Sequence, residues 1–279
     1  MLKAEHITKQ YQIPGGGHTV FDAVSDVSIE LGDGGVTAIV GESGSGKSTL
    51  ARVLSYVERP DGGRVFLDGL EVSACRRKEL RAVRGKVQLV MQNALGSLDP
   101  HQSVASILEE PLRLLFHMGA EERKQRCLEL LDMARLERDT LRRRPDELSG
   151  GQQKRLCIAR ALAAQPQHII FDESFSGLDV TLKKQVLDFL KELQTELQIS
   201  FLVITHDLDT AMYMACLLYT SRLTPELGHL LSSAFYTGMF EVVIHDMPKD
   251  QAVEHIHRMR RFYTAGWKTI FFGDGGENH

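Results

Sequence analysis

The chain has 279 residues, 43% of them apolar and 25% charged, the balance of an ordinary globular protein with ample material for a core. A formal net charge of -4 gives no global electrostatic reason to bind nucleic acid or an anionic membrane, so no nucleic-acid partner is expected. Cys75, Cys127, Cys157 and Cys216 stand far apart without a C-x-x-C pair, which argues against a zinc site or a disulfide framework and for reduced thiols in a cytosolic compartment.

From Leu2 to Leu31 the pattern is strand-like, with short apolar runs around Val20–Ile29 and a loop at Gly15-Gly16-Gly17. Val36–Val40 is short, β-branched and uniformly apolar, as expected of a strand buried on both faces. A glycine-rich loop follows, and Thr49–Leu54 then reads as a helix. Pro60-Asp61-Gly62-Gly63 and Asp68-Gly69 mark turns between further short strands. From about Ser97 to Arg144, Leu, Glu, Arg and Ala recur at helical spacing, which predicts a helical subdomain inserted between halves of the sheet. Ile169–Phe171 and Phe201–Ile204 are two more buried-strand candidates, separated by a helix from about Thr181 to Leu197. This alternation predicts an α/β fold with a mostly parallel sheet, an antiparallel amino-terminal part and an inserted helical subdomain. No amino-terminal basic region leads into an apolar stretch, so no signal peptide is expected. Nor does any window approach the roughly 18 apolar residues of a membrane-spanning helix.

The chemistry begins at Gly41-Glu42-Ser43-Gly44-Ser45-Gly46-Lys47-Ser48-Thr49, a phosphate-binding loop in its required place between a strand and a helix. Its glycines let the backbone wrap phosphates closely, and the helix adds the positive end of its dipole. Lys47 is expected to reach the β and γ phosphates of ATP, and the Ser48 hydroxyl to sit on Mg²⁺. Asp172 and Glu173 end a buried strand, which places them at the carboxyl edge of the sheet, where ligands bind in such folds. There Asp172 would hold Mg²⁺ and Glu173 would position or deprotonate the attacking water; an acidic loop after a strand is the plain alternative. Ser149, Gly150, Gly151 and Gln152 open a third feature, a helix start with exposed N–H groups that suits an anion or is an ordinary cap. Two anion cradles are hard to use on one nucleotide, which calls for a second copy.

Taken in order, the glycine loop, Leu148-Ser149-Gly150-Gly151-Gln152, Phe171-Asp172-Glu173 and Thr205-His206-Asp207 resemble the ATP-binding subunit of an ABC transporter, over residues 1–215. The resemblance implies an ATPase that dimerises head to tail, as a homodimer or with a paralogous subunit, each ATP lying between one phosphate loop and the partner's signature helix. It further implies that Tyr11 stacks on adenine, that Gln92 touches Mg²⁺ and the attacking water, that Asp179 crosses the dimer interface and that His206 contacts the γ-phosphate. Alone, Tyr11 reads equally as core packing, and Gln92 or His206 as a structural polar residue. Leu95–Pro100 after Gln92 and Arg144–Leu148 before the signature are similar to the peptide and nickel importer branch. That implies integral-membrane permease subunits, a substrate-binding protein and a place at the cytoplasmic face of the membrane. Ser174 and Phe175 depart from the Pro and Thr that the family more often has after the two acids. The rival readings are an ABC ATPase acting outside transport, and an inactive or chimeric chain whose tail binds a ligand or partner.

The resemblance stops at Ala215. Residues 216–279 are expected to form an atypical helical tail, with one helix over Leu230–Val243 and an amphipathic one from Asp246-Met247-Pro248 through Trp267 and Ile270. Through the stretch Arg260–Trp267, the tail from about Ser232 to Phe272 resembles the last helices of the ligand domain in TetR-type regulators, the plainer alternative being a packing or dimerisation helix pair.

Overall fold

A computed structural model of the chain describes residues 1–13, 20–41, 44–92, 96, 98–214, 217–220, 241–245 and 271–272. Three of the uniformly apolar runs become the middle of a parallel sheet. β3 (Val36–Val40), β7 (His168–Asp172) and β8 (Ser200–Thr205) are buried at every position, as strands covered on both faces must be. β8 lies between β3 and β7, with Val36 opposite Phe201 and Ile169 opposite Phe201 on the other side. β6 (Val87–Met91) continues the sheet beyond β7, Met91 standing opposite Asp172.

Alternation of side chains along these strands divides them between two cores. Ile169, Phe171, Phe201 and Val203 face a core built with α3 (Val104–Phe116), α4 (Ala120–Met133), α5 (Gly150–Ala163) and α6 (Val180–Leu197). There Phe171 and Phe201 meet edge to face, with ring centroids 5.2 Å apart. Ile170, Leu202 and Ile204 face the other way, onto α1 (Lys47–Leu54) and the inner side of an antiparallel sheet. That sheet is ordered β2-β1-β4-β5, from β1 (Leu2–Gln12), β2 (Val20–Leu31), β4 (Gly62–Leu67) and β5 (Leu70–Glu71). The remaining described α-helices of known bounds are α2 (Arg77–Lys86) and α7 (Leu208–Met214). α3 and α4 lie within the stretch that reads as helical from about Ser97 to Arg144, and no described helix is long and apolar enough to cross a membrane. The loop expected at Gly15-Gly16-Gly17 lies outside the described residues.

The tail corrects an expectation. Its described residues are strands: β9 (Leu217–Thr220), β10 (Glu241–His245) and β11 (Phe271–Phe272) extend the parallel sheet in that order from β3. Thr37 stands opposite Leu217, and Glu241 opposite Leu217 on the far side. The helix expected over Leu230–Val243 therefore gives way to β10 at its carboxyl end. Val242, Val243 and Ile244 are β-branched, and a short apolar run of that kind fits a buried strand as well as a helix face. The second expected helix, with Arg260–Trp267, lies outside the described residues.

Candidate nucleotide site

β3 delivers the chain to the glycine loop, whose Glu42 and Ser43 lie outside the described residues. Gly44 and Gly46 have φ of 85° and 84°, the left-handed region that glycine enters without steric cost. α1 begins directly after Gly46 with no side-chain cap and no acid in its first turn. A helix start of that kind carries the positive end of the helix dipole and suits an anion. Lys47 is buried, and its ammonium donates to Ser45 Oγ at 3.1 Å.

A pocket of about 420 Å³ opens at this loop. It is lined by Gly44, Gly46, Lys47, Ser48 and Thr49 from the loop and α1, and by Gln92, Asp172 and Glu173 from the ends of β6 and β7. Tyr11, Phe21 and Ala23 of the β1–β2 ribbon complete it. Ser48 Oγ donates to Asp172 Oδ1 at 2.9 Å. Burial raises the pKa of Asp172; the Ser48 hydrogen bond opposes that, and the neighbouring Glu173 adds to it. Ser48, Asp172 and Gln92 offer one carboxylate and two neutral oxygens, a set that fits a small hard cation completed by water and phosphate oxygens. No group of three or more His, Cys, Asp or Glu among the described residues could hold a metal unaided.

Glu173 has a φ of 47°, unusual for a residue with a side chain and held only where the surroundings fix it. Its N–H donates to Ile204 O at 2.9 Å, so the turn out of β7 is pinned to β8. His206 follows β8, and its Nδ1 lies 3.1 Å from Glu173 Oε2. The next residue steadies that turn: Asp207 is paired with Lys183 of α6 at 2.6 Å and accepts from the Thr210 hydroxyl at 2.6 Å. Burial alone would raise the Asp207 pKa, but Lys183 and Thr210 outweigh it and hold the carboxyl below its usual value.

At the far side of the ribbon, the Tyr11 hydroxyl donates to Glu58 and accepts from Arg52 Nη2 at 3.3 Å, while Arg52 pairs with Glu58 at 2.8 Å. The Tyr11 side chain is thus tied at its tip. Phe21 stands opposite Tyr11 in the strand register and is 53% exposed. Sequence reasoning did not single out Phe21 or Ala23. Phe21 carried a signal only through the cross-strand register, which sequence alone does not supply.

The structure does not bring the expected residues into one place. Ser149, Gly150, Gly151, Gln152 and Asp179 are absent from the lining of this pocket. They meet instead at the junction of α5 and α6. Ser149 Oγ accepts from Gln152 N, and Gln152 Oε1 accepts from Ser149 N at 2.9 Å, a reciprocal capping box. Asp179 caps α6 by accepting from Leu182 N at 2.9 Å. A Cβ on Gly151 would stand 2.6 Å from the Leu182 side-chain end, so the two helix starts pack closely and a larger residue there would make Leu182 shift.

A strand, a glycine loop and an uncapped helix start, with a carboxylate bonded to that helix's first serine, are built to hold a nucleoside triphosphate, and this is the arrangement of the P-loop nucleotide hydrolases. The sequence profile of the ABC transporter family matches residues 24–176. The chain belongs to that family, among its ATP-binding subunits. It is 41% identical over 212 residues to a probable peptide ABC transporter ATP-binding protein of Sinorhizobium fredii, spanning 75% of this chain and 60% of that one. It is 40% identical over 214 residues to a nickel import ATP-binding protein of Brucella abortus, spanning 75% of this chain and 79% of that one. With the dipeptide transport ATP-binding protein of Escherichia coli it shares 37% over 218 residues, spanning 77% of this chain and 65% of that one. The chain thus spans less than two thirds of the Sinorhizobium and Escherichia proteins. An ATP-binding cassette solved as a dimer in a post-hydrolysis state with ADP and Pi superposes with a TM-score of 0.69 at 34% identity, covering 77% of this chain and 91% of that one.

Proposed function

We propose that the chain is the ATP-hydrolysing subunit of an importer for peptides, nickel or a related small solute. The observation that carries this reading is one pocket lined by Lys47, by the hydrogen-bonded pair Ser48 and Asp172, and by Glu173, with His206 behind Glu173 and outside the lining. Lys47 and the amides of Gly44–Thr49 hold the phosphates, and Tyr11, with Phe21 beside it, takes the base. Ser48, Asp172 and Gln92 hold Mg²⁺, which when bound neutralises charge on the transferred phosphoryl group. Glu173 orients or deprotonates the attacking water, and His206 keeps Glu173 in place while reaching for the γ-phosphate. The signature residues Ser149, Gly150, Gly151 and Gln152, with Asp179, face the nucleotide of a second subunit, either another copy or a paralogue. Their exclusion from this chain's own pocket supports that. Similarity to the nickel import protein of Brucella supports the importer reading, and similarity to the probable peptide transporter protein of Sinorhizobium supports peptides as a solute class. On that reading permease subunits hold the chain at the cytoplasmic face of the membrane and a substrate-binding protein supplies the solute.

The test is ATP turnover by the purified chain with Mg²⁺. Glu173→Gln is expected to lower turnover by about a hundredfold or more while ATP still binds. Lys47→Ala is expected to weaken ATP binding itself. Turnover retained in Glu173→Gln would remove Glu173 from its role. A native chain that neither binds nor hydrolyses ATP would sink the importer reading.

A further inference from the structure

Two buried polar side chains stand outside the pocket yet grip the strand that delivers Gln92 to it. Ser174, directly after Glu173, is 0% exposed, and its hydroxyl donates to Val90 O at 2.6 Å. Lys154, in the second turn of α5, is 3% exposed, and its ammonium donates to Met91 O at 3.5 Å and Gln92 O at 3.4 Å. Three consecutive carbonyls are therefore taken by side chains of two other elements. One is the turn that carries Glu173, and the other is the helix whose start is the signature.

The β6 backbone needs such partners. Its ladder with β7 ends at Met91 opposite Asp172, and β6 is the outermost strand on that side of its sheet. On an edge strand and past the end of its ladder, carbonyls have no neighbouring strand to pair with and take other donors. Packing alone does not call for a lysine here, because an apolar side chain of similar length fills a buried space at less cost than a desolvated charge. Burial lowers the pKa of this lysine accordingly. Nor does Ser174 follow from the family pattern, since proline at that place has no hydroxyl or N–H to donate.

We propose that Lys154 and Ser174 are positioning residues that clamp the end of β6, so that Gln92 enters the phosphate pocket in step with Glu173 and with the start of α5. The proposal rests on the ATPase reading above. Lys154 also links Gln92 to the helix that would face a partner's nucleotide.

The experiment compares the native chain with Lys154→Met, Ser174→Ala, Lys154→Arg and Ser174→Thr. The readouts are kcat, ATP affinity, melting temperature and amide exchange of the 87–92 peptide without nucleotide. Lys154→Met and Ser174→Ala are expected to lower kcat by about tenfold, in keeping with the sensitivity of catalysis to small misplacements. ATP affinity should stay within about twofold, a loss far smaller than that in rate. Exchange over 87–92 should rise, and the Arg and Thr variants should recover most of the rate. In a Gln92→Ala background neither substitution should lower kcat further, because both act through Gln92. Unchanged exchange overturns the clamp whatever the activity. Raised exchange with unchanged kcat overturns the positioning role, as does a loss of kcat that only tracks a fall in melting temperature. A native chain without turnover would defeat the ATPase reading instead, and the exchange comparison would still decide whether the clamp exists.

Discussion

At Gly46 two independent facts act in the same direction. Its φ is 84°, and a Cβ there would stand 1.9 Å from the Ala23 carbonyl oxygen. Gly46→Ala must therefore either hold a side chain in the left-handed region, at about 1–2 kcal/mol, and push β2 away, or give up the loop's conformation. The expected result is a lower melting temperature and loss of measurable ATP binding by calorimetry; a variant that binds ATP normally would show the loop to be far more yielding than its contacts imply. His168 carries a prediction of a different kind. It is 1% exposed, and both ring nitrogens lack a hydrogen-bond partner. Burial first, then the nearby amino terminus, lower its pKa from 6.5 to about 4, against the opposing pull of Asp33 and Asp68. Well above pH 6.5 the ring is neutral in both states and its titration has no effect on stability; as pH falls from 6.5 towards 4 the unfolded chain binds a proton that the folded one refuses. Stability drains by roughly 3 kcal/mol across that window. Urea unfolding at pH 7.5 and pH 4.5 should show His168→Leu losing less stability between the two than the native chain does, and equal losses would refute the assignment. The loop glycines, Lys47 and the acid pair were legible because they form local motifs. Phe21, the Ser174–Val90 bond and the unpaired His168 were not, because each is a fact about register or burial between distant segments.

The junction of α5 and α6 shows what an element adds. Gly151 packs on Leu182, Leu182 N is capped by Asp179, and Ser149 caps α5, so the two segments expected to face a partner are held as one unit. Ser149→Ala removes the cap and should cost about 1 kcal/mol of stability. If Ser149 serves only as a cap, turnover measured well below the melting temperature should hardly change. If it also reaches the partner's ATP, turnover should fall by tenfold or more, since a donor lost at a phosphate in the transition state is worth about 3 kcal/mol. A steady-state assay at two temperatures separates the outcomes. Helices α1 and α6 were readable in the sequence, as were β3, β7 and β8, since apolar runs and 3.6-residue spacing need no partner to be recognised. The tail strands were not. Leu217–Thr220 is four residues long, and its identity as β9 depends on β3, about 180 positions earlier in the chain.

For the whole molecule, that same pairing decides what the atypical tail does. β3 carries the glycine loop and sits between β8 and β9; β10 and β11 follow outward. A chain cut to residues 1–214 would keep every residue lining the pocket but leave β3 as an edge, with one row of backbone N–H and C=O groups unpaired beside a uniformly buried apolar strand. Edges of that kind pair with other chains. The shortened chain is therefore expected to melt lower and to self-associate by light scattering, with ATP binding weakened through the loop that β3 anchors. A chain cut to residues 1–220 retains β9 and should recover part of the loss, because the Thr37–Leu217 to Val40–Thr220 pairing is restored. Should residues 1–214 melt and bind ATP as the full chain does, β9 would contribute nothing to the sheet, and the tail would be an appendage to a self-sufficient ATP-binding core. Recovery in 1–220 but not in 1–214 would instead make Leu217–Thr220 the part of the tail that the nucleotide site needs, whatever the origin of the residues beyond it.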